Sequence, residues 1–455
     1  MTAAAQTFKV LNDRLTRQVV DQLGDAESGT AVLAEAPPGA GKSSLTCSVA
    51  HALVQHDATL TLPIVTQTNE QADDLVASLH HRYPAIRLAR LTGGGGPSPA
   101  ILRLMSPTVL VDGHCDDLQL AGAHIIVGTA RKWQYERARL QGTRSPFPFA
   151  LIDEAYQMRS DALLGVAALF NTLFCVGDPG QIDPFATVDD SLWRGLPYSP
   201  TRSAMGTLRA FHPDIPVTQL PISWRLPPSA AGIVSRAFYP YAGFDPGTRQ
   251  GQRSLTISQR RRGTGGREHD ALELAASKGW AYIELPEQVT ARNDEEVART
   301  IARTVQAVTS RGVVVTDELH PSGTPMGSNR IAVIAAHNDQ VQAARFSLNE
   351  LGIDPNSLAV STANKIQGRE YDLVIVWHPL AGRRDATAFH LEAGRMCVML
   401  SRHRHACVVV GRAGVGKLLA EFPDSDPIFL DEPEKFPDGW QANYDVLEHL
   451  AAYRV

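Results

Sequence analysis

The stretch Ala36-Pro37-Pro38-Gly39-Ala40-Gly41-Lys42-Ser43 lies between an aliphatic run, Ala31–Leu33, and the segment Leu45–Val54, whose pattern predicts a helix. Strand, glycine-rich turn, lysine, hydroxyl and helix, in that order, make a phosphate-binding loop, here with alanine at its first position. Glycines let the backbone curl until consecutive N–H groups face one anion at a helix N-terminus. Pro38, Gly39, Ala40, Gly41, Lys42, Ser43 and Ser44 are the candidate nucleotide-binding residues. Lys42 would reach the β- and γ-phosphates of ATP, and Ser43 would ligate Mg²⁺.

Outward from this loop, short apolar runs alternate with helical patterns. Ala31–Ala36, Leu62–Thr66, Ile125–Thr129, Phe149–Asp153 and Leu173–Gly177 form one set of expected strands. Ile331–Ala335, Leu358–Ser361, Leu373–Trp377 and Cys407–Gly411 form a second. Apolar strands spaced by helices predict parallel α/β sheets covered on both faces, and two separated sets predict two such units. The expected division is residues 1–220, then 221–420, then an acidic tail over 421–455, with the Pro- and Gly-rich run Phe185–Pro221 leading to the boundary. A small insertion is expected at about 78–123 and a loop-rich one at about 240–290. Leu91–Pro99 reads as a loop, and Asn443–Tyr453 as a short amphipathic helix.

Composition narrows the class. The 455 residues are 44% hydrophobic and carry a net charge of −5, which suits a globular chain and argues against a polybasic coating protein. The five cysteines are odd in number and scattered, so they form no disulfide framework. No run reaches the roughly 18–20 apolar residues that span a bilayer. Met1–Val10 lacks a basic start followed by an apolar core, so the expectation is a cytoplasmic chain with no membrane partner.

Phe149–Ile152 is an apolar strand that runs into Asp153 and Glu154. Beside a phosphate-binding loop, such a strand delivers an aspartate to the metal, so Asp153 is the second candidate Mg²⁺ ligand after Ser43. Glu154 would then orient the attacking water as general base. Gly177–Pro184 follows another strand, and Gln181 is its candidate sensor of the γ-phosphate.

Together these segments resemble superfamily 1 helicases of the up-frameshift type, in order, from about Leu11 to Gly411. Val65–Asn69 with Ala72–Leu75 is similar to motif Ia, and Val127–Thr129 to motif Ic. Asp153–Ala155 with Gln157 is similar to motif II, and Gly177–Pro184 to motif III. Trp224–Leu226 with Phe238 and Tyr239 resembles the Tyr-Arg-Met segment, and Ile334–His337 with Gln340 motif IV. Thr362–Asp372 resembles motif V, and Val398–Arg404 motif VI. Trp224, Ser223, Asn364, His403 and Ala36 depart from the family pattern.

The resemblance implies two tandem RecA-like P-loop NTPase domains with an ATP·Mg²⁺ site between them. It makes Arg225 and Arg402 arginine fingers that reach across the cleft, a role that suits guanidinium forks facing a transferring phosphoryl group. It has Gln18 read the adenine, Trp224 stack on it, and Gly368 and Glu370 meet the nucleotide, Glu370 at the ribose. Thr68, Asn69, Thr129 and Thr362 would touch the backbone of single-stranded DNA or RNA. It further implies 5′ to 3′ movement. A protein partner that supplies specificity is a separate expectation.

The expected function is therefore an ATP-dependent motor on single-stranded nucleic acid. An ATP-gated clamp without unwinding is the alternative, and the acid at Glu154 argues against it. A nucleotide kinase would have no use for the segments at Thr362–Asp372 and Val398–Arg404. The arginines from Arg249 to Arg267 could line a single-strand channel or form a solvated loop. His114-Cys115-Asp116-Asp117 lacks metal-binding spacing and reads as a polar loop. Trp133 reads as a core residue.

Overall fold

The computed structural model describes residues 3–140, 147–184, 191–193, 196, 198–258, 266–290, 293–422 and 439–455. Arg260, Arg261 and Arg262 and the acidic run at 423–438 lie outside the described residues, as does part of the boundary segment after Phe185.

Eight strands form the first sheet: β1 (Ala31–Glu35), β2 (Leu62–Thr66), β3 (Leu88–Leu91), β4 (Val109–Asp112), β5 (Ile125–Thr129), β6 (Phe147–Ile152), β7 (Phe170–Gly177) and β8 (Val217–Gln219). Their order is β4-β3-β5-β2-β6-β7-β1-β8, and every pairing is parallel. Helices α1 (Ala3–Asp25), α2 (Lys42–His56) and α3 (Asn69–Arg82) cover one face. The strands alternate between two cores: Val32 and Ala34 pack on one face, Ala31 and Leu33 on the other.

The remaining strands are β9 (Ile222–Ser223), β10 (Asp245–Pro246), β11 (Ser254–Ile257), β12 (Trp280–Leu285), β13 (Val313–Thr316), β14 (Thr324–Pro325), β15 (Ile331–Ala335), β16 (Ala359–Thr362), β17 (Tyr371–Trp377) and β18 (His403–Arg412). The second parallel sheet runs β12-β18-β17-β15-β16. Leu373, Ile375 and Trp377 face one core there, Val374 and Val376 the other. The fold is thus α/β, with two tandem parallel sheets. Beside them β11, β13 and β14 make a small antiparallel sheet.

Several expectations need correction. The stretch expected as an insertion at 78–123 adds β3 and β4 to the main sheet. The sequence hid β3 because its third residue, Arg90, is charged. That side chain is 2% exposed and pairs with Asp73 at 2.7 Å, which makes its burial tolerable. Within 240–290, Arg267–Lys278 is a helix and β12 an edge strand of the second sheet. Cys115–Leu120 is a short helix rather than a loop. The C-terminal helix, Gly439–Ala451, is packed: Ala442, Val446 and Leu450 sit in the core under the second sheet, and Tyr282 N–H donates to the Tyr453 carbonyl.

At the end of β18, Arg412 forks onto Asp294, Nε to Oδ2 at 2.5 Å and Nη2 to Oδ1 at 2.8 Å, with both side chains buried. Asp294 also caps the helix Glu295–Ser310 by accepting from Val297 N–H. Burial alone would raise the Asp294 carboxyl, but Arg412, the Val297 N–H and Thr290 outweigh it and hold it below the ordinary carboxylate range. The stability from this pair is therefore present above the ordinary carboxylate pKa and is lost as pH falls through the depressed value. Asp294→Ala leaves Arg412 buried without its main partner and should cost about 3–5 kcal/mol in urea unfolding. A loss under about 1 kcal/mol would mean that the fork stabilises little.

Candidate active site

The glycine-rich loop runs from β1 into α2. Gly39 and Gly41 have φ of 72° and 95°, in the left-handed region where a side chain is strained. Gly39 is also constrained from outside: a Cβ there would lie 2.2 Å from Cβ of Arg225. Its carbonyl accepts from Trp224 N–H at 2.9 Å, and the Pro38 carbonyl accepts from Ser223 Oγ at 2.6 Å. Ser223, one of the departures from the family pattern, thus fastens the second segment to the loop.

Lys42 is buried, and its Nζ lies 3.4 Å from Asp178 Oδ2 and 3.7 Å from Glu154 Oε1. Among the described residues Glu154 is the one non-glycine with positive φ, at 52°. Backbone held in that region is stored strain. Its Oε2 is buried without a hydrogen-bond partner. Asp153 accepts from Thr46 Oγ1 at 3.5 Å, and burial followed by the Glu154 charge pushes its carboxyl up to about 7. A crowded, buried carboxylate beside a hydroxyl-bearing helix start is the setting a hard divalent cation relieves, so Asp153 and the exposed Ser43 fit Mg²⁺.

Gln181 is buried and donates through Nε2 to Asp178 Oδ2 at 2.7 Å. Its Oε1 accepts from Gln157 Nε2 at 3.3 Å, and Gln157 Oε1 accepts from Gln71 Nε2 at 3.0 Å. Gln71 Oε1 in turn accepts the Gln67 and Thr68 N–H groups, each at 3.0 Å. A chain of amides therefore joins the end of β2 to the lysine of the loop. Asp178 also accepts from Tyr239 Oη at 2.6 Å, and a Cβ on Gly180 would strike the Tyr239 ring. Burial, then Asp178, raise the Tyr239 phenol well above its usual value, so it stays a donor.

Arg402 is fully buried. Its Nε donates to the Val398 carbonyl and its Nη2 to Ser401 Oγ, while Nη1 has no hydrogen-bond partner. Burial, then Arg225, lower its pKa to about 10, still well above neutrality. Arg225 Nε donates to Glu370 Oε2 at 3.1 Å, and its Nη1 to the Ser401 carbonyl at 3.4 Å. Glu370, expected at the ribose, here holds the expected finger. Gly368 has a φ of 78°, within the loop between β16 and β17.

Gln18 is a correction. It sits on α1 with its Nε2 on Thr218 of β8 at 3.2 Å. The part of α1 that meets the loop is ten residues earlier, about 15 Å along the helix. There Phe8 bounds Gly41 and packs edge-on to Trp224, with ring centroids 5.4 Å apart. A cavity of about 320 Å³ lies alongside, lined by Gln6, Val10, Arg14 and Ile222 among others. A glutamine on a helix says nothing of which end of that helix approaches the loop; packing decides it.

Thr68 and Asn69, Thr129 and Thr362 all sit at or just past the carboxyl ends of parallel strands, where ligands bind in open α/β sheets. Thr68 and Asn69 are exposed, whereas Thr362 is buried. Thr68 caps α3, and Asn69 Oδ1 accepts from Arg90. His403 is a core residue: it packs edge-on to Trp280, and burial, then His405, lower its pKa to about 3. Asn364 accepts from Arg395 at 2.7 Å. Trp133 is buried, with Nε1 on the Ile64 carbonyl. Elsewhere Asp317, Asp372 and His405 cluster, but Arg330 bonds Asp372 and Arg404 lies 3.7 Å from Asp317, so guanidinium groups already neutralise these carboxylates. Sequence reading missed Tyr239 and Asp178 as a pair, although both stood inside segments it had marked.

Residues 202–414 match the family described as an AAA domain. That stretch holds the whole second sheet with Arg225 and Arg402. No curated protein matches the chain. The PRRSV helicase is similar at 15% identity over 86% of this chain and 54% of its own, with a TM-score of 0.40. An arterivirus nonstructural protein 10 (helicase) in complex with DNA is 12% identical over 88% of this chain and 65% of its own, also at 0.40. The DUF1998 helicase MrfA bound to DNA and AMPPNP is 12% identical over 100% of this chain and 57% of its own, at 0.41. The chain spans less than two thirds of the length of each of these three structures. No helix among the described residues is long and apolar enough to cross a membrane.

The contact at Gly39 is open to test. Gly39→Ala forces a strained φ and a clash with Arg225, so ATP affinity in a fluorescent-nucleotide titration should fall by about tenfold or more, while far-UV circular dichroism is retained. Unchanged affinity would mean that the loop and the Arg225 segment separate before nucleotide enters.

Proposed function

We propose that the chain is an ATP-hydrolysing motor on single-stranded nucleic acid, with its ATP site between the 1–220 and 221–420 units. The observation that carries this reading is the convergence of buried charges from both units: Lys42, Glu154 and Asp178 from one, and Arg402 with its unused Nη1 beside Arg225 from the other. A clamp that binds ATP without turning it over has no need of a strained Glu154 with a buried, unpartnered oxygen beside the lysine.

In the proposed reaction Lys42 leaves its carboxylate partners for the β- and γ-phosphates. Glu154 orients the attacking water and takes its proton as oxygen bonds to the γ-phosphorus. The bond to the β–γ bridging oxygen breaks, and ADP and phosphate result. Ser43 and Asp153 would hold Mg²⁺, which when bound neutralises charge on the phosphate oxygens. Arg402 and Arg225 stabilise the charge spread over the transferring group, at a site they reach from the second unit. Thr68, Asn69, Thr129 and Thr362 are the proposed contacts to the sugar-phosphate backbone, with hydroxyl and amide groups suited to contacts that carry no sequence information. The amide chain from Thr68 to Asp178 links that edge to Lys42.

Phosphate release measured with and without single-stranded DNA or RNA tests the reading, and no release under either condition from pure protein would sink it. Glu154→Gln should keep ATP binding and lower turnover by about 100-fold or more. Arg402→Ala should slow turnover by about 10³-fold with little change in nucleotide affinity, and a pure affinity defect would contradict a finger role.

A further inference from the structure

The antiparallel sheet β11-β13-β14 belongs to neither parallel sheet, yet two charged residues at its edge reach the Arg225 segment. Arg253, just before β11, has a nearly buried side chain. Its Nη1 donates to the main-chain carbonyl of Arg225 at 2.5 Å and its Nη2 to that of Trp224 at 2.8 Å. Its Nε donates to both carboxylate oxygens of Glu318, at 2.9 and 3.2 Å. Glu318, two residues past β13, also receives Arg404 Nη2 at 3.3 Å. Arg404 Nη1 lies 3.8 Å from Glu370 Oε1, and Glu370 holds the Arg225 guanidinium. The contacts close a ring: Arg225, Glu370, Arg404, Glu318, Arg253, and back to the Arg225 carbonyl.

Burying a guanidinium is costly, and here burial and then the Arg404 charge pull the Arg253 pKa down, with Glu318 opposing them. The fork engages two successive peptide carbonyls on either side of the Arg225 Cα. That geometry fixes the direction in which the Arg225 side chain leaves the backbone. Lysine, a single point donor, has no such fork.

We propose that Arg253 is a positioning residue for Arg225: it clamps the peptide from which that side chain projects, and Glu318 anchors the clamp. The proposal rests on the reading of Arg225 as a ligand of the γ-phosphate.

Steady-state ATP hydrolysis by Arg253→Ala, Arg253→Lys, Glu318→Gln, Arg225→Ala and the Arg253→Ala/Arg225→Ala double variant tests it. Misplacing a catalytic group by about 1 Å costs about 100-fold, so Arg253→Ala should lower kcat by about 10- to 100-fold with KM for ATP within about threefold. Arg253→Lys should recover little of this loss, and Glu318→Gln should lose about three- to tenfold. In the Arg225→Ala background, Arg253→Ala should cost less than about twofold more, because the two then act as one unit. A further loss there as large as in the wild type overturns the proposal and marks Arg253 as merely structural. Hydrogen exchange gives a readout independent of turnover: amides of residues 222–226 should exchange about tenfold faster in Arg253→Ala, and in Arg253→Lys should Arg253→Ala fail to fold, with β15 and β17 unchanged. Unchanged exchange at 222–226 overturns the clamp even where ATP is hydrolysed. Faster exchange in a wild-type background that hydrolyses no ATP overturns the proposed function and leaves the clamp standing.

Discussion

One buried ammonium balances the centre of this molecule. Lys42 Nζ faces Glu154 and Asp178, with Asp153 adjoining, all at low exposure. Without the lysine these carboxylates would repel one another in a medium that screens poorly. The response of each acid differs with its surroundings. Asp153, buried and next to Glu154, is driven up to about 7. Asp178 is satisfied by Gly180 N–H, Gln181 and Tyr239 as well as by Lys42. If a phosphate draws Lys42 away, Asp178 keeps three donors, whereas Glu154 loses its one ion-pair partner among the described residues, which suits the base role proposed for it. The arrangement lets the lysine move without stranding Asp178.

That centre depends on contacts between the two sheets that tolerate no side chain. Gly39 lies under Arg225, Gly180 under Tyr239, and Gly394 against the Gln181 and Ile182 backbone, where a Cβ would lie 2.7 Å from the Gln181 carbonyl oxygen. Each pairs a residue of the 1–220 stretch with one of the 221–420 stretch. Closure at van der Waals distance lets Tyr239 reach Asp178 and lets Arg402 stay fully buried beside Arg225.

The loop and both sets of central strands were legible because their signals are local: a glycine pattern fixed by φ, and apolar runs buried on both faces. What could not be read was set by tertiary pairing. β3 contains a buried arginine whose partner, Asp73, lies on a different element. β8 is three residues long and is a strand only because β1 offers it an edge. Gln18 has the composition of an adenine reader but lies on the wrong stretch of its helix, which Phe8 shows by meeting the loop instead. Arg253 stood in an arginine-rich run that pattern alone leaves open between a single-strand channel and a solvated loop. Its two carbonyl acceptors come from a segment 28 and 29 positions away, which no spacing rule anticipates.

The net charge of −5 takes on a different meaning once arginines are sorted by what they touch. Arg90, Arg225, Arg253, Arg402 and Arg412 are all largely buried and spent on carboxylates or carbonyls within the chain. Four of them, all but Arg402, pair with a carboxylate and so contribute little long-range field to the surface, because each of those ion pairs cancels locally. A whole-chain sum therefore says little about whether a polyanion is attracted. At the strand ends proposed for nucleic acid, the exposed residues Thr68 and Asn69 offer a hydroxyl and an amide rather than a basic surface. Contacts of that type release few counterions, so binding there would depend weakly on salt and would be blind to sequence.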